Sequence, residues 1–286
     1  MSRRLVVGAW TACLAALSWS SCTSGPTPPK MGSPGWYYAA AREQYAAGDY
    51  VKAQEHLEKI MGGEGQYKQR AFTWHMVILA GMARGYRELA DAYEAGAPEA
   101  RAATGEFRRS VNDYRRTSRQ YSMGLAEELT RLEKDLAAAE KITLEFPFPS
   151  GSGNEPVGWA TVRKGILPRD AERSTVLRQS VARGMLLQSA EVVGEDPAKA
   201  AETFKTQPVE VPRAIFLHGM GASLVEQAAL FDRKKLQEPN NQRLLLGLAA
   251  TCAKDASEAP SDDALKKRIK DLQAKIEKAQ KNVGKL

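Results

Sequence analysis

The sequence predicts an all-α fold built from helical hairpins in the manner of an α-solenoid. Apolar residues recur at spacings of three and four over most of the chain, Pro and Gly punctuate those runs as helix starts and stops, and period-two alternation is confined to short stretches. Formal charge is +7, but residues 264–286 carry eight Lys or Arg against Asp271 and Glu277, a net of +6. The remaining chain is close to neutral. Its basic character therefore belongs to one C-terminal helix, and nucleic acid is not an expected partner.

Residues 1–21 read as an export signal. Ser2-Arg3-Arg4 precedes an apolar run over residues 5–17, too short to cross a bilayer of about 30 Å as a helix. The run closes on Ser18-Trp19-Ser20-Ser21-Cys22, which resembles the lipobox of bacterial lipoproteins, with Trp19 where that family usually has an aliphatic residue. The resemblance implies cleavage before Cys22 and its acylation with fatty chains such as palmitate. Thr23 in place of Asp resembles sorting to the outer membrane, with the body facing the periplasm or the cell surface. Acyl chains contribute about 0.8 kcal/mol per buried methylene, so no transmembrane helix is required. Residues 22–35 are rich in Pro, Gly, Ser and Thr and read as a disordered tether.

Residues 36–143 form the first helical region. Tyr37, Ala41, Gly48, Tyr50, Ala53 and Leu57 take the places of an aromatic first turn, a close helix contact, a turn and an early small residue of a second helix. Thirty-seven residues on, Trp74, Gly85 and Ala90 repeat the places of Tyr37, Gly48 and Ala53, with the extra length assigned to the turn around Gly62-Gly63-Glu64-Gly65-Gln66. This pattern resembles the tetratricopeptide repeat, and any antiparallel hairpin with small contact residues shares it. The resemblance implies stacked hairpins with Gly48, Ala53, Gly85 and Ala90 in turn and packing roles, and a groove lined by Tyr37, Tyr45, Trp74 and Tyr86, each of which also suits a core. From Thr104, the spacing of Phe107, Val111, Tyr114, Ser118, Tyr121, Leu125, Leu129, Leu132, Leu136 and Ala139 predicts one long helix, or two with a kink near Gly124. Its arginines, among them Arg108, Arg109, Arg115, Arg116 and Arg119, read as a solvated face rather than a phosphate patch.

Residues 144–167 read as a loop insertion and the best internal boundary. Pro147-Phe148-Pro149-Ser150-Gly151 ends the preceding order, and Ile142-Thr143-Leu144-Glu145-Phe146 and Trp159-Ala160-Thr161-Val162-Arg163 are short enough to pair as a small β-hairpin. A second helical region, 168–258, follows, with Pro197 and Pro212 opening helices and an apolar helix over 244–253. Within it, Phe216-Leu217-His218-Gly219-Met220-Gly221-Ala222-Ser223 resembles the His-Gly-x-Gly segment of α/β-hydrolases. No G-x-S-x-G elbow accompanies it. Read as helix, Ala214, Leu217, Gly221, Leu224 and Ala228 form a close-packing stripe instead. Residues 259–286 predict a basic amphipathic helix capped by Ser261, whose Leu265, Ile269, Leu272, Ile276, Ala279 and Val283 seam packs on the body or on a partner chain.

No chemistry-bearing constellation emerges. His56, His75 and His218 lack metal-ligand spacing, C-x-x-C is absent, and Cys252 is the one cysteine left after the signal and Cys22 are set aside, reading as a core residue or an intermolecular bridge. No cofactor or metal is expected. The expected function is a non-catalytic, membrane-anchored module that binds an envelope protein or peptide. The alternative is a helical periplasmic lipoprotein that holds a small ligand for a transporter.

Overall fold

The computed structural model describes residues 29–135 and 139–283. The expected signal, Cys22 and the first half of the expected tether, residues 22–28, lie outside the described residues, as do the side chains of Leu132 and Leu136. Among the described residues there are ten α-helices and one two-stranded antiparallel pair, so the fold is all-α.

Helices α1 (Pro34–Ala46) and α2 (Tyr50–Met61) form the first hairpin where the sequence places it. Ser33 Oγ accepts from the Trp36 amide at 3.2 Å, Gly48 turns the chain at φ +80°, and the Asp49 carboxylate accepts from the Lys52 amide at 3.2 Å. Ala53 is fully buried at the contact between the two helices.

The second hairpin of the expected repeat does not form. Trp74, Gly85 and Ala90 all lie on one helix, α3 (Gln66–Gly96), which runs unbroken through the predicted turn. A mid-helix glycine costs about 1 kcal/mol relative to alanine. Here it is offset by close packing, since a Cβ at Gly85 would lie 2.7 Å from the Ser180 carbonyl oxygen. Helix α4 (Thr104–Asp135) is likewise continuous past Gly124 and packs antiparallel along α3. Ser118 Oγ donates to the Ala83 carbonyl at 2.7 Å, and Tyr86 stacks on Tyr121 with centroids 5.8 Å apart.

The expected hairpin over 142–163 is also corrected. Strand β1 (Lys141–Leu144) pairs with β2 (Val209–Pro212), with Lys141 opposite Pro212 and Leu144 opposite Val209. Trp159 and Val162 instead belong to α5 (Val157–Arg163), where their spacing of three buries both on one face against α3. The remaining helices are α6 (Asp170–Val193), α7 (Pro197–Thr203), α8 (Arg213–Ala228), α9 (Pro239–Glu258) and α10 (Asp263–Asn282). The cap of α10 is Asp262, not Ser261; its carboxylate accepts from the Leu265 amide at 2.7 Å.

The main core runs from Tyr38 on α1 to Ile276 on α10, and so joins both helical regions across residues 144–167. A smaller cluster, including Tyr93, Phe107, Trp159 and Val176, seals the end where α3, α4, α5 and α6 meet. The stretch Arg213–Phe231 has the length and hydropathy to cross a bilayer, but 72% of its most apolar window is buried inside the fold. It is a core helix. On α10, Leu265, Ile269, Leu272 and Ile276 are buried against α8 and α9, so the seam packs on the body.

Candidate functional site

Two of the four aromatics assigned to a groove are core residues. Trp74 is fully buried and Tyr45 is 1% exposed; Trp74 stacks on Phe146 at 5.6 Å, and Tyr45 meets both rings edge-on. Burial of these large rings contributes more to the fold than exposure could to a partner. Tyr37 is half-buried against Trp36 and His56, and Tyr86 is half-buried between Tyr114 and Tyr121. The four do not line a common surface. Gly48 and Ala53 keep their turn and contact roles, while Gly85 and Ala90 are buried inside α3.

An open cleft of about 540 Å³ lies elsewhere, between the end of α2, the first turns of α3 and the last described turns of α4. Met61 and Phe72 supply its apolar surface; Lys68, Gln69, Glu128 and Arg131 supply its polar surface. Phe72 and Lys68 are one helical turn apart and so share a face of α3. Arg131 Nη1 lies 3.2 Å from Glu128 Oε1, whereas the Lys68 ammonium has no ion pair or hydrogen bond among the described residues. The cleft therefore offers one unengaged cation and one cation shared with a carboxylate, over apolar surface.

Behind it sits His75, whose side chain is 4% exposed. Its Nε2 is 3.6 Å from Glu58 Oε1 and its Nδ1 is 3.8 Å from Glu128 Oε1, both beyond hydrogen-bond reach. Burial dominates and holds His75 down at about 4, against the pull of Glu58. Burial likewise raises the Glu128 carboxyl. The imidazole is neutral and enclosed. It supports the wall of the cleft rather than reaching into it.

The His-Gly-x-Gly segment lies within α8. Its Gly219 is buried where α8 crosses α6, a Cβ there falling 2.7 Å from the Glu191 carbonyl oxygen, so its amide is engaged in helix and does not face a cavity. His218 Nδ1 is 3.5 Å from Arg268 Nη2, and burial together with the Arg268 charge holds the imidazole down at about 4. It borders a cleft of about 280 Å³ with Glu191, Glu226, Asp271 and Lys275. Glu191 is raised to about 7 by burial, although Arg84 lies 3.0 Å away. Glu191 and Glu226 belong to an ionic seam in which Arg84 and Arg87 of α3 meet Glu226 of α8, Arg84 reaches Glu191 of α6, and Arg183 of α6 pairs with Glu88. Each cation of the seam is matched by a carboxylate. Among the described residues no three His, Cys, Asp or Glu side chains converge as metal ligands.

The residues of the α2–α3–α4 cleft were not singled out by sequence. Met61, Lys68, Phe72 and Arg131 are ordinary members of amphipathic helices, and a partner-free lysine cannot be told from a paired one without the neighbouring helix. Compared with family models, with curated proteins and with solved structures, the chain matches none.

Proposed function

We propose that this protein is a non-catalytic binding module, anchored to the outer membrane of a bacterial envelope through acylated Cys22, whose α2–α3–α4 cleft holds a segment of a partner envelope protein. The observation that carries the reading is Lys68, without a partner among the described residues, beside Arg131 and above Phe72 and Met61 in an open cleft. That combination suits a segment with an acidic residue next to an apolar one. The lysine and arginine receive the carboxylate, and the apolar side chain covers Phe72. A lipid anchor restricts both partners to one surface, so a modest affinity suffices for occupancy.

A photo-crosslinking residue at Gln69, in the native membrane, tests the reading. One defined envelope protein is expected to be captured, and Lys68→Glu with Arg131→Glu is expected to weaken capture about tenfold or more, as loss of charge-assisted contacts does. Capture that is indifferent to the charge reversal overturns it. A Cys22→Ser protein separates the two parts of the proposal: it is expected to leave the membrane fraction while its cleft still binds the purified partner.

A further inference from the structure

Helix α10 buries one face completely, and its opposite face has an unusual composition. Taking Leu265, Ile269, Leu272 and Ile276 as the inward direction, the outward face carries a stripe of Lys267, Lys270, Ala274, Lys278 and Lys281, at steps of three and four. All five are exposed, and the stripe runs about 21 Å at 1.5 Å per residue. None of the four lysines makes an ion pair or side-chain hydrogen bond among the described residues. The carboxylates of the helix flank this stripe, Asp263 one turn before Lys267, Asp271 one turn after it and Glu277 one turn before Lys281. Asp263 is at the first turn and pairs with Lys266 at 3.1 Å, Asp271 borders the cleft beside α8, and Glu277 sits to the other side of the stripe. Arg268, the one arginine, turns inward to donate to the Gly194 carbonyl at 3.2 Å.

We infer that this lysine stripe docks the protein on the anionic headgroup plane of a lipid bilayer. The lysines of α10 outnumber the carboxylates that flank them, and a negatively charged surface relieves the net repulsion. The stripe is straight and carries no aromatic, arginine or large apolar side chain, the groups that anchor protein interfaces, from which lysine is depleted. It also lacks the aromatic platforms on which single-stranded nucleic acid stacks. Flexible stems bearing compact, strongly hydrated charges instead suit mobile headgroups of no fixed geometry. The screening length near physiological salt is about 8 Å, so only the outermost charges of a helix lying flat take part. Lysines predominate among those charges. Each lysine close to an anionic membrane surface contributes roughly a fivefold factor in partition.

The inference does not rest on the cleft, and its test omits the lipid anchor. The full chain carrying Cys22→Ser is mixed with vesicles of phosphatidylglycerol and phosphatidylcholine, or of phosphatidylcholine alone, and bound protein is measured by flotation. Binding to the anionic vesicles alone is expected, falling as salt rises. Lys270→Gln with Lys278→Gln is expected to reduce it about 25-fold. Lys164→Gln with Lys234→Gln, two exposed lysines away from α10, removes the same charge and is expected to change it less than about twofold. Equal binding to both vesicle types, an unchanged α10 variant, or equal loss in the off-face control overturns the inference. So does tighter binding to a nucleic acid duplex than to anionic vesicles at the same salt. Circular dichroism of each variant confirms that the helix content is retained.

Discussion

Replacing Gly184 by alanine is expected to lower the free energy of unfolding by about 3 kcal/mol. Helices α3 and α6 cross with their backbones touching, at Gly81 and Gly85 on one and Gly184 on the other. A Cβ at Gly184 falls on the Gly81 carbonyl oxygen and 2.5 Å from the Gly85 nitrogen. Both obstacles are main chain in the middle of a long helix, so no side chain can rotate away; the helices must separate. That separation uncovers Met185 and Val181, which are buried at the crossing. Against a total stability of about 5–15 kcal/mol for a typical domain, the loss is a large fraction. Gly247→Ala is the informative contrast. It lies in the interior of α9 with open space around it and is expected to gain about 1 kcal/mol from helix propensity alone. Urea unfolding followed by circular dichroism reads both, and a Gly184→Ala protein as stable as the parent would show that the crossing is looser than described.

The second large effect is on acid stability. His75 has an ordinary value near 6.5 and a folded value near 4, because burial disfavours its charged form. As pH falls from about 6.5 to about 4, the unfolded chain takes up the proton first and the native state is penalised, by about 3 kcal/mol once both values are passed. His218 is displaced in the same sense. Glu191, raised to about 7, acts oppositely: its unfolded form binds fewer protons over the window between 4.5 and 7, so acidification favours the native state there. The parent curve alone is therefore a poor measure of His75. The measurement to make is the gap between the parent and His75→Leu. It is expected to move by about 3 kcal/mol in favour of leucine between pH 7 and pH 4. A gap independent of pH would mean that the folded and unfolded values are equal, Glu58 and Glu128, which face the two ring nitrogens, offsetting the effect of burial.

Much of this architecture was legible in local sequence. The spacing of Phe107, Val111, Ser118 and Leu125 gave the long helix, the Gly48-Asp49 pair gave the first turn and cap, and the Leu265, Ile269, Leu272 and Ile276 seam gave the last helix. What failed had a long-range cause. Gly85 followed Gly48 at the repeat distance, and a glycine reads the same whether it turns a chain or admits a neighbouring helix. Ser180 and Val181, nearly a hundred positions later, decide between the two. Ile142 and Leu144 were assigned the nearest alternating stretch as partner. Their true partner, Val209-Glu210-Val211, is only a few residues long and flanked by prolines, so it carries little strand signal of its own. The alternative of groove or core at Tyr45 and Trp74 has the same origin. A large aromatic on an amphipathic helix is equally suited to a groove or a core, and here Phe146, arriving from beyond α4, covers both.

Helix α3 has a consequence for the time course of synthesis. Residues 73–83 are buried on every side, because α2, α4, α6, α8 and β1 all pack against this helix. A chain made from its N-terminus acquires α2 before α3 and α4 soon after, but α8 ends at residue 228. At ordinary elongation rates the unfinished side of α3 stays uncovered for on the order of ten seconds. For that interval the uncovered side of this central helix is a sticky surface. The export proposed above would favour keeping the chain extended until its last partner has been made.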